Sequence, residues 1–327
     1  MNNYVIGIDG GSTKTQCALF DLEGNKIDFL NWGPLNHEVL RGGFEGFRVE
    51  MYDLLRCILQ RNKVSINNIK KGVFGIAGVD TKDQHRIISK MITETGIEDM
   101  ILCNDAYLGI KAGCISGAGI CVINGTGCTV AGINPQGEML QIGGQGALTG
   151  DKGGGSMLGV AAISAVYNYL FRCGKSTILK ELLFEDLMIT SKYEFMDTIT
   201  QKLNDQSIRI AEMNRYLFTA AHRNDEVACE ILRDVGRELG LSVNGMIREL
   251  NFGEAERVEI VLAGSVNVKG DHPGMIDSLK EQVFRVNGTE KISFSMLAVP
   301  PVAGAVIWAL EGYCSSQNLF QKISGQF

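Results

Sequence analysis

The first 25 residues alternate short apolar runs with turns that contain glycine. The runs Tyr4 to Asp9 and Thr15 to Asp21 have the length and composition of β-strands. Residues 10–13 separate them, and a second turn follows at residues 23–25. This pattern predicts an N-terminal β-hairpin.

The pattern then changes from strand to helix spacing. Apolar residues recur on one face between Phe44 and Leu59, which predicts an amphipathic helix packed on the hairpin sheet. Asp80 and Thr81 are candidate caps of a later helix. The elements predicted after the first helix are strand 72–78, helix 82–95 and strand 101–103. Alternating strands and helices imply a partly parallel sheet.

The same order of elements then starts again. Residues 120–133 repeat the strand, glycine turn and strand, and end at a turn over residues 135–137. Later elements also have counterparts: strands 257–264 and 291–297, helix 274–286, and the small-residue helices 105–113 and 301–311. A mostly helical stretch from about 157 to 250 has none. The chain is therefore predicted to be a duplicated α/β protein with an insertion in its second half.

Two similar α/β domains are expected to face each other across a cleft. The first is assigned to residues 1–115 plus about 302–327, because helix 301–311 is the counterpart of helix 105–113. The second is assigned to residues 116–301 with the helical insertion. Ligand binding is expected to close the cleft and exclude water.

Composition narrows the range of partners. With 327 residues, 45% of them hydrophobic, the chain can form about two ordered domains. Its 31 basic and 37 acidic residues give a net charge of −6, so we expect a small-molecule partner, with no nucleic acid and no membrane. No signal-peptide or membrane-span pattern is seen, which suggests a cytoplasmic protein. Scattered cysteines and histidines suggest neither a disulfide framework nor a structural metal cluster.

Each half presents a glycine-rich turn between two strands. The turns are Gly10-Gly11 in the first half and Gly125-Thr126-Gly127 in the second. Backbone N–H groups in such turns converge on an anion, and glycine lets that anion come close. Two such turns facing one cleft predict a site for nucleotide phosphates.

Asp9 stands at the end of the first strand, beside the first turn. There it could hold Mg²⁺ through water. Ser12, Thr13, Lys14 and Thr15 would offer hydroxyls and a positive charge to phosphate oxygens. The alternative is a tight hairpin in which Asp9 caps its own turn. The second glycine turn favours the phosphate site.

Asp105 follows Asn104 directly after an apolar strand and begins a helix. Ligand sites of α/β proteins gather at the carboxyl ends of strands, and phosphoryl transfer to a hydroxyl needs a carboxylate that accepts a proton. We predict that Asp105 is the catalytic base. Its alternative role is a helix N-cap. The second half carries Ala298 and Val299 at the equivalent place, so the duplicated fold does not itself require an acid there.

Two other glycine-containing segments are candidates for ligand contacts. Residues 143–156 are glycine-rich, and Asp151 within them could accept hydrogen bonds from sugar hydroxyls or an amide. A flexible linker is the alternative. Gly264 and Ser265 follow an apolar strand, where glycine would let a nucleoside approach the backbone, although glycine often closes a strand.

Together these motifs resemble those of the N-acetylglucosamine kinase family and its BadF/BadG/BcrA/BcrD-type ATPase relatives, within the superfamily of sugar kinases, Hsp70 and actin. DGGSTKT at residues 9–15 is similar to the family's first phosphate motif, INGTGC at 123–128 to its second, and LAGSV at 262–266 to its adenosine motif. The resemblance covers nearly the whole chain. It implies duplicated ribonuclease H-like domains, as in actin-like ATPases, with ATP and Mg²⁺ bound between them, and a homodimer.

The resemblance also implies a sugar site. Three pairs match the family's sugar-side residues: Asn36-His37, Asn104-Asp105 and Gly150-Asp151. In the family the first pair's Asn contacts sugar, the second holds the catalytic Asp, and the third starts a GDEGS segment. The implied reaction is ATP-dependent phosphorylation of an amino sugar, with the 6-hydroxyl of N-acetylglucosamine favoured. N-acetylmuramic acid and glucosamine are the other candidate substrates.

The chain departs from the family beside Asp151. Residues 146–149 replace a tryptophan-bearing stretch, and Lys152-Gly153-Gly154 replaces the usual Glu-Gly-Ser. A cation would favour a carboxylate nearby. We hypothesise that Lys152 admits an acidic sugar such as N-acetylmuramic acid.

Two other functions fit parts of the sequence. Activators of radical dehydratases have similar phosphate motifs, but they hold an iron–sulfur cluster with paired cysteines, and no such pair is evident. A non-catalytic sugar sensor on the same fold would carry DNA-binding helices, and no helix-turn-helix pattern precedes the first strand. The presence of Asp105 also argues against a sensor.

Overall fold

The computed structural model describes residues 3–253, 257–314 and 318–327. The strands are β1 (Tyr4–Gly10), β2 (Thr15–Asp21), β3 (Lys26–Trp32), β4 (Ile69–Ile76), β5 (Met100–Cys103), β6 (Gly119–Asn124), β7 (Cys128–Ile133), β8 (Met139–Gly143), β9 (Val258–Ala263) and β10 (Ile292–Met296). The helices are α1 (Phe44–Asn62), α2 (Lys82–Thr93), α3 (Ala106–Gly113), α4 (Gly155–Phe171), α5 (Leu179–Leu187), α6 (Phe195–Asn204), α7 (Asn214–His222), α8 (Glu226–Glu249), α9 (Ser265–Lys269), α10 (Gly274–Asn287), α11 (Val302–Leu310) and α12 (Leu319–Ser324). Short 3₁₀ helices lie at Ile66–Asn68, Gly146–Leu148, Lys192–Glu194 and Ile210–Met213.

The two halves form two sheets with the same topology. The strand orders are β3-β2-β1-β4-β5 and β10-β9-β6-β7-β8. In each sheet an antiparallel meander of three strands is extended by two parallel strands. The predicted duplicated α/β fold is confirmed. The sequence patterns missed β3 and β8, which are edge strands with largely exposed or half-buried side chains.

The first sheet has a helical layer on each face. On one face, α1 and α2 bury the side chains of β1, β2 and β4, with Phe47, Met51 and Phe74 among the largest. On the other face lies α11, which contacts β1, β2 and β4 although it follows the second sheet in sequence. The C-terminal Phe327 ring stacks on Phe20 with 5.8 Å between centroids. We call this sheet with α1, α2 and α11 the first lobe.

The second sheet, with α4 to α10, forms what we call the second lobe. Helices of the insertion and α10 bury one face of this sheet. Its other face contacts α3, which follows β5 of the first sheet. Helices α3 and α11 thus cross between the lobes, and the domain boundaries assigned from sequence remain a prediction.

The two crossing helices pack closely through small residues. A Cβ added to Gly304 would lie 2.1 Å from Leu108 O, so α11 requires glycine at this contact. Gly109 likewise approaches Cys121 Sγ, where a Cβ would lie 2.4 Å away. This small-residue contact joins the lobes behind the cleft.

Across the residues that the structure describes, no helix has the length and apolar character needed to cross a membrane.

Candidate active site

The candidate site lies at the carboxyl edge of the first sheet. Asp9 on β1 pairs with Gly75 on β4, and Gly75 pairs with Cys103 on β5. Because these strands are parallel, the residues that follow them leave the sheet at one edge. Asp9, Asp80 and Asp105 place carboxylates at this edge, close enough for the charges of Asp9 and Asp80 to act on Asp105.

Asp105 is held in a shielded place without a capping bond. Burial raises its pKa to about 8, and the charges of Asp9 and Asp80 act in the same direction, while the nearby backbone N–H groups of Ala106 and Asp105 oppose the shift. The side chain makes no capping hydrogen bond to α3. Asn104 Oδ1 instead accepts from the Ala106 backbone N–H at 3.0 Å. The side chain of Asn104, and not that of Asp105, therefore holds this N–H group at the start of α3.

Asp9 is a second shielded carboxylate. Burial raises its pKa to about 7, and the positive charge of Lys14 opposes that shift. Within the described ranges, no hydrogen bond reaches its carboxylate, so it does not cap its own turn. A partly enclosed carboxylate without a donor suits a hydrated divalent cation, because the cation would supply the missing positive charge.

The first turn is tightly built. Gly11 N–H donates to Lys14 O at 3.0 Å, and a Cβ on Gly10 would lie 2.6 Å from Ile76 Cδ1. A side chain at position 10 would therefore have to displace the end of the Ile76 side chain. Ser12 Oγ accepts from Asn36 Nδ2 at 3.0 Å.

The residues after this turn differ in accessibility. Thr13 and Lys14 are exposed and can reach a ligand beside Asp9. Thr15 is fully buried, and its Oγ1 has no partner among the described residues. Of the predicted phosphate-contacting side chains, Thr15 is thus the one that the structure keeps inside the hairpin.

The second turn is open on one side. A Cβ on Gly125 or on Gly127 would meet nothing within 4 Å. Behind the turn, Gly155 N–H donates to Gly125 O at 2.8 Å, and Ser156 N–H donates to Thr126 O at 3.0 Å. The start of α4 therefore fixes the turn from behind and leaves its glycines facing open space, as an anion cradle requires.

Gly264 has a different reason to be glycine. Its φ is +88°, and a Cβ would lie 2.2 Å from Asn124 O. The backbone of β6 fills the space that a side chain would need. Ser265 begins α9 directly after it. Position 264 therefore requires glycine because of this internal contact, and not because of the predicted approach of a nucleoside.

Asn36 and His37 are buried in the first lobe. Asn36 is 4% exposed and its Oδ1 accepts from Glu38 N–H at 2.9 Å. His37 is 8% exposed, and its ring stacks on Phe44 with 4.2 Å between centroids. Burial lowers the pKa of His37. The pair is positioned to support the cleft wall, with Asn36 bonded to Ser12 of the first turn.

The glycine-rich segment around Asp151 is an ordered loop. Asp151 Oδ2 accepts from Gly144 N–H, Gly146 N–H and Thr149 Oγ1, at 2.9, 2.9 and 2.8 Å. This answers the linker alternative, since one carboxylate ties the loop together. Gly150 has φ +73° and open space where a Cβ would be.

Lys152 lies beside the insertion. Its Nζ is 3.5 Å from Glu238 Oε2 on α8, and about half of the side chain is exposed. This contact partly neutralises the cation that was expected to attract an acidic sugar.

Three polar residues of this region were not among the predicted site residues. Asp80 Oδ1 accepts from Asn104 Nδ2 at 2.8 Å and from Gln141 Nε2 at 2.6 Å. Gln84 Oε1 accepts from the backbone N–H groups of Asp80 and Thr81. The available signal was position, since Asp80 follows β4 as Asp105 follows β5.

The chain belongs to the BadF/BadG/BcrA/BcrD ATPase family, which it matches over residues 6–309. The matched range includes both glycine-rich turns, at Gly10-Gly11 and at Gly125-Thr126-Gly127. It also confirms the resemblance drawn from the sequence motifs.

Two curated relatives are amino-sugar kinases by name. The N-acetylmuramic acid/N-acetylglucosamine kinase of Clostridium acetobutylicum is 30% identical over 80% of this chain and 85% of its own. The N-acetyl-D-glucosamine kinase of Dictyostelium discoideum is 26% identical over 79% of this chain and 84% of its own. The solved structure of a candidate N-acetylglucosamine kinase from Chromobacterium violaceum shares the fold. Its TM-score is 0.67 at 19% identity, with 94% of this chain and 99% of that chain covered.

Proposed function

We propose that this chain is an ATP-dependent amino-sugar kinase that transfers the γ-phosphoryl group to the 6-hydroxyl of N-acetylglucosamine. N-acetylmuramic acid and glucosamine are the further candidate substrates. The proposal rests above all on Asp105, a shielded carboxylate that makes no capping bond and shares the sheet edge with Asp9. The names of the two curated relatives support the substrate class.

In this proposal the two turns bind the nucleotide phosphates. The open side of Gly125-Thr126-Gly127 receives phosphate oxygens, and exposed Lys14 with Ser12, Thr13 and Gly11 faces them from the first lobe. Gly264 and Ser265 are assigned to the adenosine side. Asp9 would hold Mg²⁺ through water, and the bound ion would neutralise charge on the transferred group.

Asp105 acts on the sugar. Its carboxylate accepts the proton of the attacking hydroxyl as the oxygen–phosphorus bond forms and the bond to ADP breaks. A raised pKa makes Asp105 a stronger base once it is ionised. Asn104, Asn36, His37, Gly150 and Asp151 are assigned to the sugar side of the cleft. Because Asn36, His37 and Asp151 are already engaged within the protein, part of their role is to hold the wall in shape.

The test is ADP release from Mg-ATP against a panel of hexoses and amino sugars. Asp105→Asn is expected to lower turnover by at least about 100-fold, the contribution of a positioned general base. Asp53→Asn, an exposed aspartate on α1, serves as the matched control and should retain full activity. Absence of turnover on every amino sugar, or full activity of Asp105→Asn, would reject the proposal.

A cytoplasmic location, expected from the sequence patterns, and a homodimer, implied by the family resemblance, are also part of this proposal. Light scattering after size exclusion measures the assembly directly. A mass near 35.6 kDa would identify a monomer and remove the dimer from the proposal.

A further inference from the structure

The Asp80 carboxylate joins side chains of the two lobes. Its Oδ1 accepts from Asn104 Nδ2 at 2.8 Å, and Asn104 follows β5 of the first sheet. The same oxygen accepts from Gln141 Nε2 at 2.6 Å, and Gln141 lies on β8, an edge strand of the second sheet. One carboxylate oxygen therefore bridges the two lobes.

The first lobe fixes the backbone of Asp80 independently of this bridge. Asp80 N–H and Thr81 N–H donate to Gln84 Oε1 at 3.1 and 2.8 Å, and Thr81 forms a capping box with Gln84 at the start of α2. Gln84 Nε2 in turn lies 3.5 Å from His37 Nε2. Because α2 is capped by Thr81, removal of the Asp80 carboxylate should cut the bridge without unwinding the helix.

On the second lobe the bridge meets the loop that Asp151 organises. A Cβ on Gly144 would lie 2.8 Å from Gln141 Nε2 and 3.2 Å from Asp80 Oδ1. Gly144 N–H donates to Asp151 Oδ2 at 2.9 Å. The position of the bridge is thus linked to the position of the sugar-side loop.

On the first lobe the bridge meets the assigned base. Asn104 uses its amide nitrogen to reach Asp80 and its amide oxygen to hold Ala106 N–H, so both ends of the side chain are fixed. Asp105 is the next residue. A change in the Asp80 contact would therefore move Asn104, and with it the neighbouring base, Asp105.

We propose that Asp80 is a positioning residue that couples closure of the two lobes to the placement of Asn104 and Asp105. This inference rests on the proposed kinase function for its activity readouts. When Gln141 docks on Asp80, the sugar-side loop and the base take their working positions together. When the lobes part, the bridge is broken and Asn104 loses the fixed partner of its amide.

The charge of Asp80 gives the coupling an independent signature. Asp80 is one cause of the raised pKa of Asp105, together with burial and Asp9. Burial raises the pKa of Asp80 itself, and the negative charges of Glu38 and Asp151 also raise it. The hydrogen bonds from Gln141 and Asn104 lower it. Replacing Asp80 with neutral Asn should therefore lower the pKa of Asp105, and move the acid limb of the rate profile to lower pH.

The experiment combines scattering and kinetics on the full chain. Small-angle scattering measures compaction on adding N-acetylglucosamine with an unreactive ATP analogue. We expect wild type to compact, and Asp80→Ala and Gln141→Ala to compact less. Each variant should lose at least about tenfold in kcat/KM for the sugar, the factor expected for a charge-assisted hydrogen bond. The double variant should lose no more than the worse single one, because both changes cut one contact.

Matched controls separate the bridge from general damage. Asp83→Ala removes an exposed aspartate from the first turn of the same α2, and Gln136→Ala removes an exposed glutamine from the turn before β8. Both should behave as wild type. Any one of three results would overturn the inference. These are additive losses in the double variant, wild-type compaction in both single variants, and an unmoved acid limb in the pH profile of Asp80→Asn. If wild type phosphorylates no amino sugar, the proposed function fails, while compaction with the nucleotide analogue alone still reports on the bridge.

Discussion

Asn104 Oδ1 accepts a hydrogen bond from the Ala106 backbone N–H at 3.0 Å, at the start of α3. Because Asn104 holds this N–H group, the side chain of Asp105 is not needed to cap α3. A capping aspartate stabilises a protein, whereas a shielded one that must ionise costs stability. Since Asn caps a helix about as well as Asp does, a capping role predicts little change in stability for Asp105→Asn, whereas the shielded role predicts a gain.

Asp105→Asn should stabilise the folded protein at pH 8. Between the ordinary pKa of 3.8 and the folded pKa of about 8, the folded state keeps a proton that the unfolded chain has released. Stability therefore falls as pH rises through this window, and a neutral Asn escapes the loss. We expect a gain of about 1 kcal/mol or more, or at least about 2 °C in Tm, that shrinks toward pH 5.

Thermal melts of wild type and variant at pH 5, 6, 7 and 8 measure this difference. Asp53→Asn provides the control, because that aspartate is exposed on α1. A Tm difference that stays constant with pH would contradict a shielded Asp105.

The rate of phosphoryl transfer should rise with pH across the neutral range. Asp105 must be ionised to accept a proton, and its pKa is raised to about 8 by burial and by the neighbouring carboxylates. Activity is therefore lost as pH falls below this value. The measurement is kcat/KM for Mg-ATP from pH 6 to 9, which reports groups of the free enzyme. A flat profile down to pH 6 would contradict the assignment of Asp105 as base.

Periodicity and duplication were sufficient to predict most of the fold. The helix over residues 44–59 and the small-residue helices at 105–113 and 301–311 lie within a few residues of α1, α3 and α11. Strands β3 and β8 were missed because nearly all of their side chains are exposed or half-buried, which leaves little apolar alternation to detect. The duplication led us to expect that α11 returns to the first half of the chain. The packing of α3 on the second sheet could not be read from local pattern, since it depends on which sheet face is left uncovered.

The chemistry of the site was predicted less completely. Sequence order pointed to Asp9 and Asp105 because both end apolar strands. It could not separate Gly125, which faces open space, from Gly264, which the backbone of Asn124 requires. Nor could it find the bridge from Asp80 to Gln141, because Asp80 lies in the loop after β4, Gln141 lies on β8 of the other lobe, and the two are 61 positions apart.

The contrast between these glycines gives a test of the second turn. Gly127→Ala adds a Cβ that meets nothing within 4 Å, so the Tm should stay within about 1 °C of the wild-type value. The added methyl group would crowd the phosphates, so the KM for ATP should rise at least about tenfold. Gly264→Ala should lower the Tm, since its φ is +88° and its Cβ would lie 2.2 Å from Asn124 O. Gly33→Ala, also with open space and outside the turns, is the control for both measurements. An unchanged KM for ATP in Gly127→Ala would remove this turn from the phosphate site.

The choice between neutral and acidic amino sugars should depend little on Lys152. Its Nζ lies 3.5 Å from Glu238 Oε2, and both side chains remain partly exposed, at 51% and 39%. A cation paired in this way offers little attraction to a second carboxylate, since exposed ion pairs contribute at most about 1 kcal/mol. Lys152→Gln should therefore change the ratio of kcat/KM for N-acetylmuramic acid and N-acetylglucosamine by less than about fivefold. Lys175→Gln, which removes a paired lysine elsewhere on the insertion, is the matched control. A selective loss of more than about tenfold on N-acetylmuramic acid would mean that Lys152 leaves Glu238 to contact the lactyl carboxylate, and would restore it as the residue that admits acidic sugars.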